Sequence, residues 1–229
     1  MSVILNIDTA IDVATISIAR GGIILAEISN SDQKEHGSFL QPAIADLLEK
    51  TGLSLNQLDA IAVSAGPGSY TGLRVSMASG KGLCFALNKP LIIIGTLKAL
   101  AYSAILQMES AFPEDEFLIC PMIDARRMEV FTSLFDKNLV EISPPVAMIL
   151  DKGSFANWLL KYQIFFSGNG SHKWRDQCNH PTARFLEVKN NPLAMSKLSY
   201  EKYQNRLFAD LNYAEPMYIK GFHSGVPLP

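Results

Sequence analysis

The chain has 229 residues, of which 48% are apolar and 18% charged, a balance that fits neither a disordered polymer nor a membrane-embedded bundle. Twenty basic side chains against twenty-two acidic ones leave a net charge of −2, so the chain as a whole does not attract nucleic acid, and any RNA contact must be local or made by a partner. The length suits one large domain or two small ones. The three cysteines, Cys84, Cys120 and Cys178, are odd in number and widely spaced, which predicts buried reduced thiols rather than disulfides or a zinc site. The first residues, Met1 to Asp8, lack a basic leader, and no long apolar run occurs. A cytoplasmic protein without membrane contact is expected.

In chain order, the apolar run 3–8, the alternating run 12–19 and, after the Gly21-Gly22 turn, the run 23–28 predict three antiparallel strands. Phe39, Leu40, Ala43, Ile44, Leu47 and Leu48 recur at helical spacing, Gly52 supplies a stop, and Pro42 is expected in the first turn or at a kink. Residues 59–65 read as a buried strand from which a glycine-rich loop leads into a second helix over 71–87. Pro90 precedes another apolar strand, 91–94, and Thr96 is placed as the N-cap of a helix carrying Leu97, Leu100, Ala101 and Ile105. The acidic stretch 109–116 reads as a linker between halves 1–108 and 109–229, with the last residues returning to the first half.

Residues 117–123 then open a new strand ending in Ile-Asp, and the pattern restarts. Asn6-Ile7-Asp8-Thr9 is echoed by Met122-Ile123-Asp124-Ala125 at an offset of 116 residues. A strand over 128–135, a hairpin from Leu139, a short helix over 153–162, a strand over 164–166 and the turn Ser167-Gly168-Asn169-Gly170 follow. A last helix opens near Pro192 or Ser196 and carries Leu198, Tyr203 and Leu207. Two β-β-β-α-β-α-like halves, each ending its first strand in Asp, predict a duplicated α/β architecture of the actin-like ATPase (ASKHA) type.

In that fold the turn after the first strand of each half holds nucleotide phosphates, and Asp8, Thr9 and Asp124 take those places here. Neither turn contains the glycine that close phosphate approach usually needs, so a local turn-capping role stands beside the phosphate role. Gly168-Asn169-Gly170 is read either as a turn that an adenosine passes closely or as a plain loop. The segment Gly66-Pro67-Gly68-Ser69-Tyr70-Thr71-Gly72-Leu73-Arg74 is the most specific feature of the chain. Gly68, with Ser69 and Thr71 as caps, would form an anion-binding nest at a helix N-terminus, or else a tight structural turn. It is not a P-loop, because Lys81 lies too far along the helix. Arg74, Arg126 and Arg127 are the nearest basic residues, suited to nucleotide phosphate, RNA backbone, acidic partner residues or plain surface.

Within the second helix, Gly72, Ser76 and Gly80 lie at i, i+4 and i+8 with Ser79 and Gly82 alongside. Glycine in a helix interior costs about 1 kcal/mol relative to alanine, so this bulk-free stripe signals close packing, either on the chain's own sheet or on a helix of another subunit. Gly72, Ser76, Ser79, Gly80 and Lys81 are the candidate partner contacts.

Four motifs, Ile4-Leu5-Asn6-Ile7-Asp8-Thr9, the segment from Gly66 to Arg74, Asp124-Ala125-Arg126-Arg127 and Pro216-Met217-Tyr218-Ile219-Lys220, together resemble the TsaB (YeaZ) family within the wider TsaD/glycoprotease-like group. Tyr70 stands where that family commonly has phenylalanine, and Lys220 where it has arginine. The resemblance implies a non-catalytic subunit that pairs through its first two helices with the catalytic homologue TsaD. With the ATPase TsaE, the pair places a threonylcarbamoyl group on N6 of adenosine 37 of tRNA (t6A). No nucleotide is expected on the isolated chain and tRNA contact is expected through the complex, while ATP or ADP at the interface of the complex, and a homodimer rather than a monomer when alone, are left open by the sequence. Catalytic relatives hold a metal through histidines at i and i+4, whereas His36 is followed four residues later by Leu40, and His172, His180 and His223 are unpaired at that spacing. No metal site is therefore expected. The competing reading is an actin-fold small-molecule kinase or ATPase; a metalloprotease lacks both the metal pair and an identifiable nucleophile set.

Overall fold

The computed structural model describes residues 1–32, 35–108, 116–188 and 191–220. The expected linker, save Glu116, and His223 lie outside the described residues.

The first half runs β1 (Val3–Asp8), β2 (Ala14–Arg20), β3 (Ile23–Asn30), α1 (His36–Thr51), β4 (Ala60–Ser64), α2 (Tyr70–Leu87), β5 (Leu91–Ile94) and α3 (Thr96–Met108). Its sheet has the order β3-β2-β1-β4-β5, with β2 antiparallel to both neighbours and β1, β4 and β5 parallel. The second half runs β6 (Phe117–Asp124), β7 (Glu129–Phe135), β8 (Glu141–Ile149), α4 (Ala156–Leu159), β9 (Gln163–Ser167), α5 (Ser171–Arg175), β10 (Ala183–Phe185) and α6 (Pro192–Gln204). Its sheet order, β8-β7-β6-β9-β10, repeats the first diagram strand for strand, with the same directions. The duplication read from the Asp8/Asp124 echo is thus the architecture observed, and the two aspartates end equivalent strands.

Several local expectations are corrected. Pro42 is the seventh residue of α1, beyond its first turn and facing solvent. Thr96 is the first helical residue, not the cap: its N–H donates to the Gly66 carbonyl (2.9 Å), and the Gly95 carbonyl accepts the Ala99 N–H (3.0 Å). The Thr96 hydroxyl has no hydrogen-bond partner among the described residues. The helix expected over 153–162 shrinks to the single turn of α4, and the short elements α5 and β10 were not anticipated.

Apolar packing interlocks the halves. On one face of the first sheet Leu5, Ile7, Ile61 and Val63 meet Leu40 and Leu47 of α1 and Met77 and Cys84 of α2. On the opposite face Ile4, Ala60, Ala62 and Ile92 meet Met195 and Leu198 of α6, a helix of the second half. Reciprocally, Leu97, Leu100 and Ala104 of α3 pack on Phe117, Ile119, Phe135 and Phe165 of the second sheet. Each half therefore contributes its last helix to the other half's core. The final segment also crosses back. Ala209 N–H donates to the Leu91 carbonyl (2.9 Å), Lys81 Nζ to the Ala214 carbonyl (3.0 Å) and Met217 N–H to the Ala65 carbonyl (2.6 Å).

The strand period of two places Asn6 on the same face of β1 as Ile4, beneath α6. Its amide is buried there: Ser199 Oγ donates to Asn6 Oδ1 (2.6 Å), Asn6 Nδ2 donates to Ser196 Oγ (3.3 Å), and Ser17 Oγ lies 3.4 Å from Ser196 Oγ. In a low-dielectric layer such a network fixes the helix at one register, because any slip strands polar atoms. Asn6→Ala is therefore expected to destabilise the chain by about 1–3 kcal/mol, read as a lowered denaturant midpoint; an unchanged midpoint would show that the network does not hold α6.

Candidate functional site

The carboxyl ends of β1 and β6 face a common cleft of about 750 Å³, lined by Ala10, Asp12, Ser69, Tyr70, Asp124 and Arg126, among others. The floor on the first-half side is set by the glycine-rich turn. Ser69 N–H donates to the Ala10 carbonyl (2.7 Å), and Thr9 Oγ1 donates to the Gly72 carbonyl (2.6 Å). A side chain at Gly68 would collide with the Ala10 carbonyl, and one at Gly72 with the Thr9 carbonyl. The two glycines are thus where the end of β1 presses backbone to backbone on the start of α2. The Gly72 N–H is capped by Ser69 Oγ (3.3 Å), and Thr71 is exposed at the cleft wall. Ser69 N–H is thus spent on Ala10, while Gly68, Ser69, Tyr70 and Thr71 line the cleft.

Asp8 is buried, and its Oδ1 accepts the Ala10 N–H (3.0 Å); Thr9 is buried beside it. Asp124 makes the equivalent turn, its Oδ1 accepting the Arg126 N–H (2.6 Å), and the same oxygen binds Lys173 Nζ (2.6 Å). Both aspartates hold local turns. Asn169 ties the halves together: its Oδ1 accepts the Asp124 N–H (2.9 Å) and its Nδ2 donates to Asp12 Oδ2 (2.7 Å). Within Gly168-Asn169-Gly170, a side chain at Gly168 would strike the Met122 carbonyl of β6, and Asn169 lines the cleft.

At the places where the fold would hold a metal–nucleotide, Asp8 accepts the Ala10 N–H and Asp124 pairs with Lys173. Among the described residues no cluster of His, Cys, Asp or Glu suited to a metal is found. Burial pushes the thiol of Cys84 up to about 11 and that of Cys120 up to about 12, so neither supplies a thiolate near neutral pH.

The stripe Gly72, Ser76 and Gly80 faces inward, which corrects its use as a partner surface. A side chain at Gly80 would run into Val63 of β4, and Ser76 Oγ donates to the Leu73 carbonyl (3.1 Å). Ser79 is half-buried, 3.4 Å from Gln41 of α1, and Lys81 is engaged with Ala214. The outer face of α2 instead carries Arg74, Ala78, Gly82 and Phe85, with open space at Gly82 and Phe85 86% exposed.

Arg74 lies with its guanidinium carbon 4.0 Å above the Tyr70 ring, and its Nε donates to Tyr218 Oη (3.2 Å). That hydrogen bond raises the Arg74 pKa. Arg126 and Arg127 are exposed in a turn with φ of 70° and 48°. Sequence reasoning missed Asp12, Lys173 and Tyr218, whose roles depend on contacts between segments far apart in the chain.

Two copies of one five-stranded sheet, an exchanged pair of helices and a cleft between matching Asp-ended strands define a duplicated actin-like α/β protein. The family model described as "TsaD: tRNA N6-adenosine threonylcarbamoyltransferase" matches residues 23–194, and the chain belongs to that family. Among curated relatives it is 32% identical over 159 residues to the "tRNA threonylcarbamoyladenosine biosynthesis protein TsaB" of Bacillus subtilis, covering 68% of this chain and 64% of that one. To the protein of the same name from Haemophilus influenzae it is 32% identical over 155 residues, covering 68% and 59%. The chain thus spans slightly less than two thirds of these relatives' lengths. In fold it matches "YeaZ from Pseudomonas aeruginosa" with a TM-score of 0.77 at 23% identity, over 95% of this chain and 100% of that one. Among the described residues no helix is long and apolar enough to cross a membrane.

The opposite environments of Gly72 and Gly82 make a paired test. Gly72→Ala is expected to destabilise by about 1–3 kcal/mol through overpacking on Thr9. Gly82→Ala is expected to stabilise by about 1 kcal/mol, because it relieves only backbone freedom. Calorimetric melting of both variants checks this; equal effects would refute the assignment of inner and outer faces.

Proposed function

We propose that the chain is a cytoplasmic, non-catalytic partner subunit of TsaD in threonylcarbamoyl transfer to N6 of adenosine 37 of tRNA. The observation that carries the reading is the outer face of α2, where Ala78 and Gly82 leave backbone open beside the exposed Phe85. A neighbouring helix approaches such a face closely, and an aromatic ring at its edge serves as an anchor. The names of the relatives supply the pathway, and the filled turns at Gly68, Gly72 and Asp124 argue for chemistry placed on the partner. TsaE joins this pair, tRNA is engaged through the complex, and the isolated chain pairs with itself over the same face. We assign no nucleotide to the isolated chain and place ATP or ADP at the interface of the complex. The kinase or ATPase alternative has the cleft in its favour but requires a free carboxylate at Asp124, which Lys173 already holds.

The test mixes purified chain with TsaD and TsaE and follows both assembly and tRNA modification. The chain alone is expected to modify no tRNA, while the mixture gains modification that TsaD and TsaE together lack. Phe85→Ala is expected to weaken assembly about 30-fold, the size of a central aromatic anchor of about 2 kcal/mol, without lowering the melting temperature. Unchanged assembly in both Phe85→Ala and Gly82→Leu would refute the proposed face, and tRNA modification by the chain alone would refute the non-catalytic role.

A further inference from the structure

We propose that Tyr70, Tyr218 and Arg74, at the mouth of the cleft, form a contact for single-stranded RNA, on which one unpaired base stacks while Arg126 and Arg127 meet the adjoining phosphates. This rests on the tRNA-directed function proposed above and names the surface of this chain that would face the RNA.

The first argument is exposure without mobility. Tyr70 and Tyr218 are 40% and 44% exposed, with ring centroids 5.3 Å apart. Both are fixed from behind. Tyr70 opens α2 and carries the Arg74 guanidinium at 4.0 Å. Tyr218 follows Met217, whose N–H is bonded to the Ala65 carbonyl (2.6 Å) and whose own carbonyl occupies the space that a side chain at Gly66 would need. Two residues on, Lys220 pairs with Glu129 of the second half. Held rings and a guanidinium plane are the surfaces on which unstacked bases lie, and their rigidity removes the ordering cost of binding.

The second argument is charge. The acids of the second-half wall are already neutralised, Asp124 by Lys173 and Glu129 by Lys220. Arg74, Arg126 and Arg127 are all exposed, and none makes an ion pair among the described residues. Tyr70 and Arg126 line the same cleft. Asp12, which accepts a hydrogen bond from Asn169, is the acid that shares this cleft with Arg126, so the mouth sets aromatic rings beside three arginines against one acid outside the ion pairs. Base-paired RNA would gain only the charge term, since its bases are stacked on one another. An unpaired segment gains both.

Fluorescence anisotropy of the full chain with a labelled 12-nucleotide oligoadenylate, titrated at several salt concentrations, tests the proposal. Saturable binding is expected, with a logarithmic salt slope of about −1.4 for two phosphate contacts that weakens by about 0.7 in Arg126→Ala. Tyr70→Ala and Tyr218→Ala are each expected to lower affinity about 10-fold, whereas Tyr70→Phe keeps it, which separates lost stacking from a failure to fold. A 12-base-pair RNA duplex is expected to compete poorly. No saturable binding below about 100 µM, the weak end of non-specific affinity, would overturn the proposal. So would equal competition by duplex, or unchanged affinity in both tyrosine-to-alanine variants. If Arg74→Ala weakens assembly with TsaD and leaves RNA binding intact, the cluster is a protein contact and the proposal falls. Stacking-dependent RNA binding in a chain that does not assemble with TsaD would support this site while refuting the partner role.

Discussion

Carbonyl oxygens pressed into the places where side chains would stand are the constraint on which the rest of this structure depends. Thr9 and Ala10 present theirs to Gly72 and Gly68, and Met217 presents its own to Gly66. These contacts bring the end of β1, the start of α2 and the returning C-terminal segment to one point. Backbone packed on backbone leaves no side chain to adjust, so a single added methyl group displaces a strand or a helix rather than a rotamer. The same contacts set the floor of the cleft on the first-half side.

The exchange of α3 and α6 between the sheets makes the two halves one mechanical unit. Separating them would expose the apolar face that Ile4, Ala62 and Ile92 share with Met195 and Leu198, together with the one that Leu97 and Leu100 share with Phe117 and Ile119 of β6. The buried amide of Asn6 adds a penalty for sliding as well as for separation, because Ser196 and Ser199 lose their partners in either case. Asn169, bonded to Asp12 across the cleft, then spans a gap whose walls are already fixed. A cleft built this way is suited to presenting a surface of constant shape.

The sequence was informative where the physics is local. Short apolar or alternating runs gave the strands β1 to β7 and β9, and the echo of Asn6-Ile7-Asp8 in Met122-Ile123-Asp124 gave the duplication, because both signals lie within a few adjacent residues. The elements α4, α5 and β10 are three to five residues long, too short for periodicity to register. The glycine-rich motif was readable as a place of close approach, but its occupants were not. Thr9 and Ala10 lie some sixty residues upstream, and Met217 about 150 downstream. The stripe Gly72, Ser76 and Gly80 was likewise visible, but α2 has small residues on two faces, and only the sheet beneath it decides which face is buried. The pairing of Lys173 with Asp124 spans 49 residues and leaves no local trace.

What the fold offers in principle and what these residues do with it therefore diverge at identifiable atoms. In an actin-like cleft the turns after the first strand of each half are where N–H groups and a carboxylate would meet a nucleotide. Here Asp8 accepts the Ala10 N–H in the first of those turns, and Asp124 accepts the Arg126 N–H and binds Lys173 in the second. Both turns are thereby tied into the chain by contacts of its own. Lys173 and Lys220 neutralise Asp124 and Glu129 on one wall, so that Arg126 is left without an ion pair among the described residues. Tyr70 lines the same cleft as Arg126 and stands beside Tyr218, with ring centroids 5.3 Å apart.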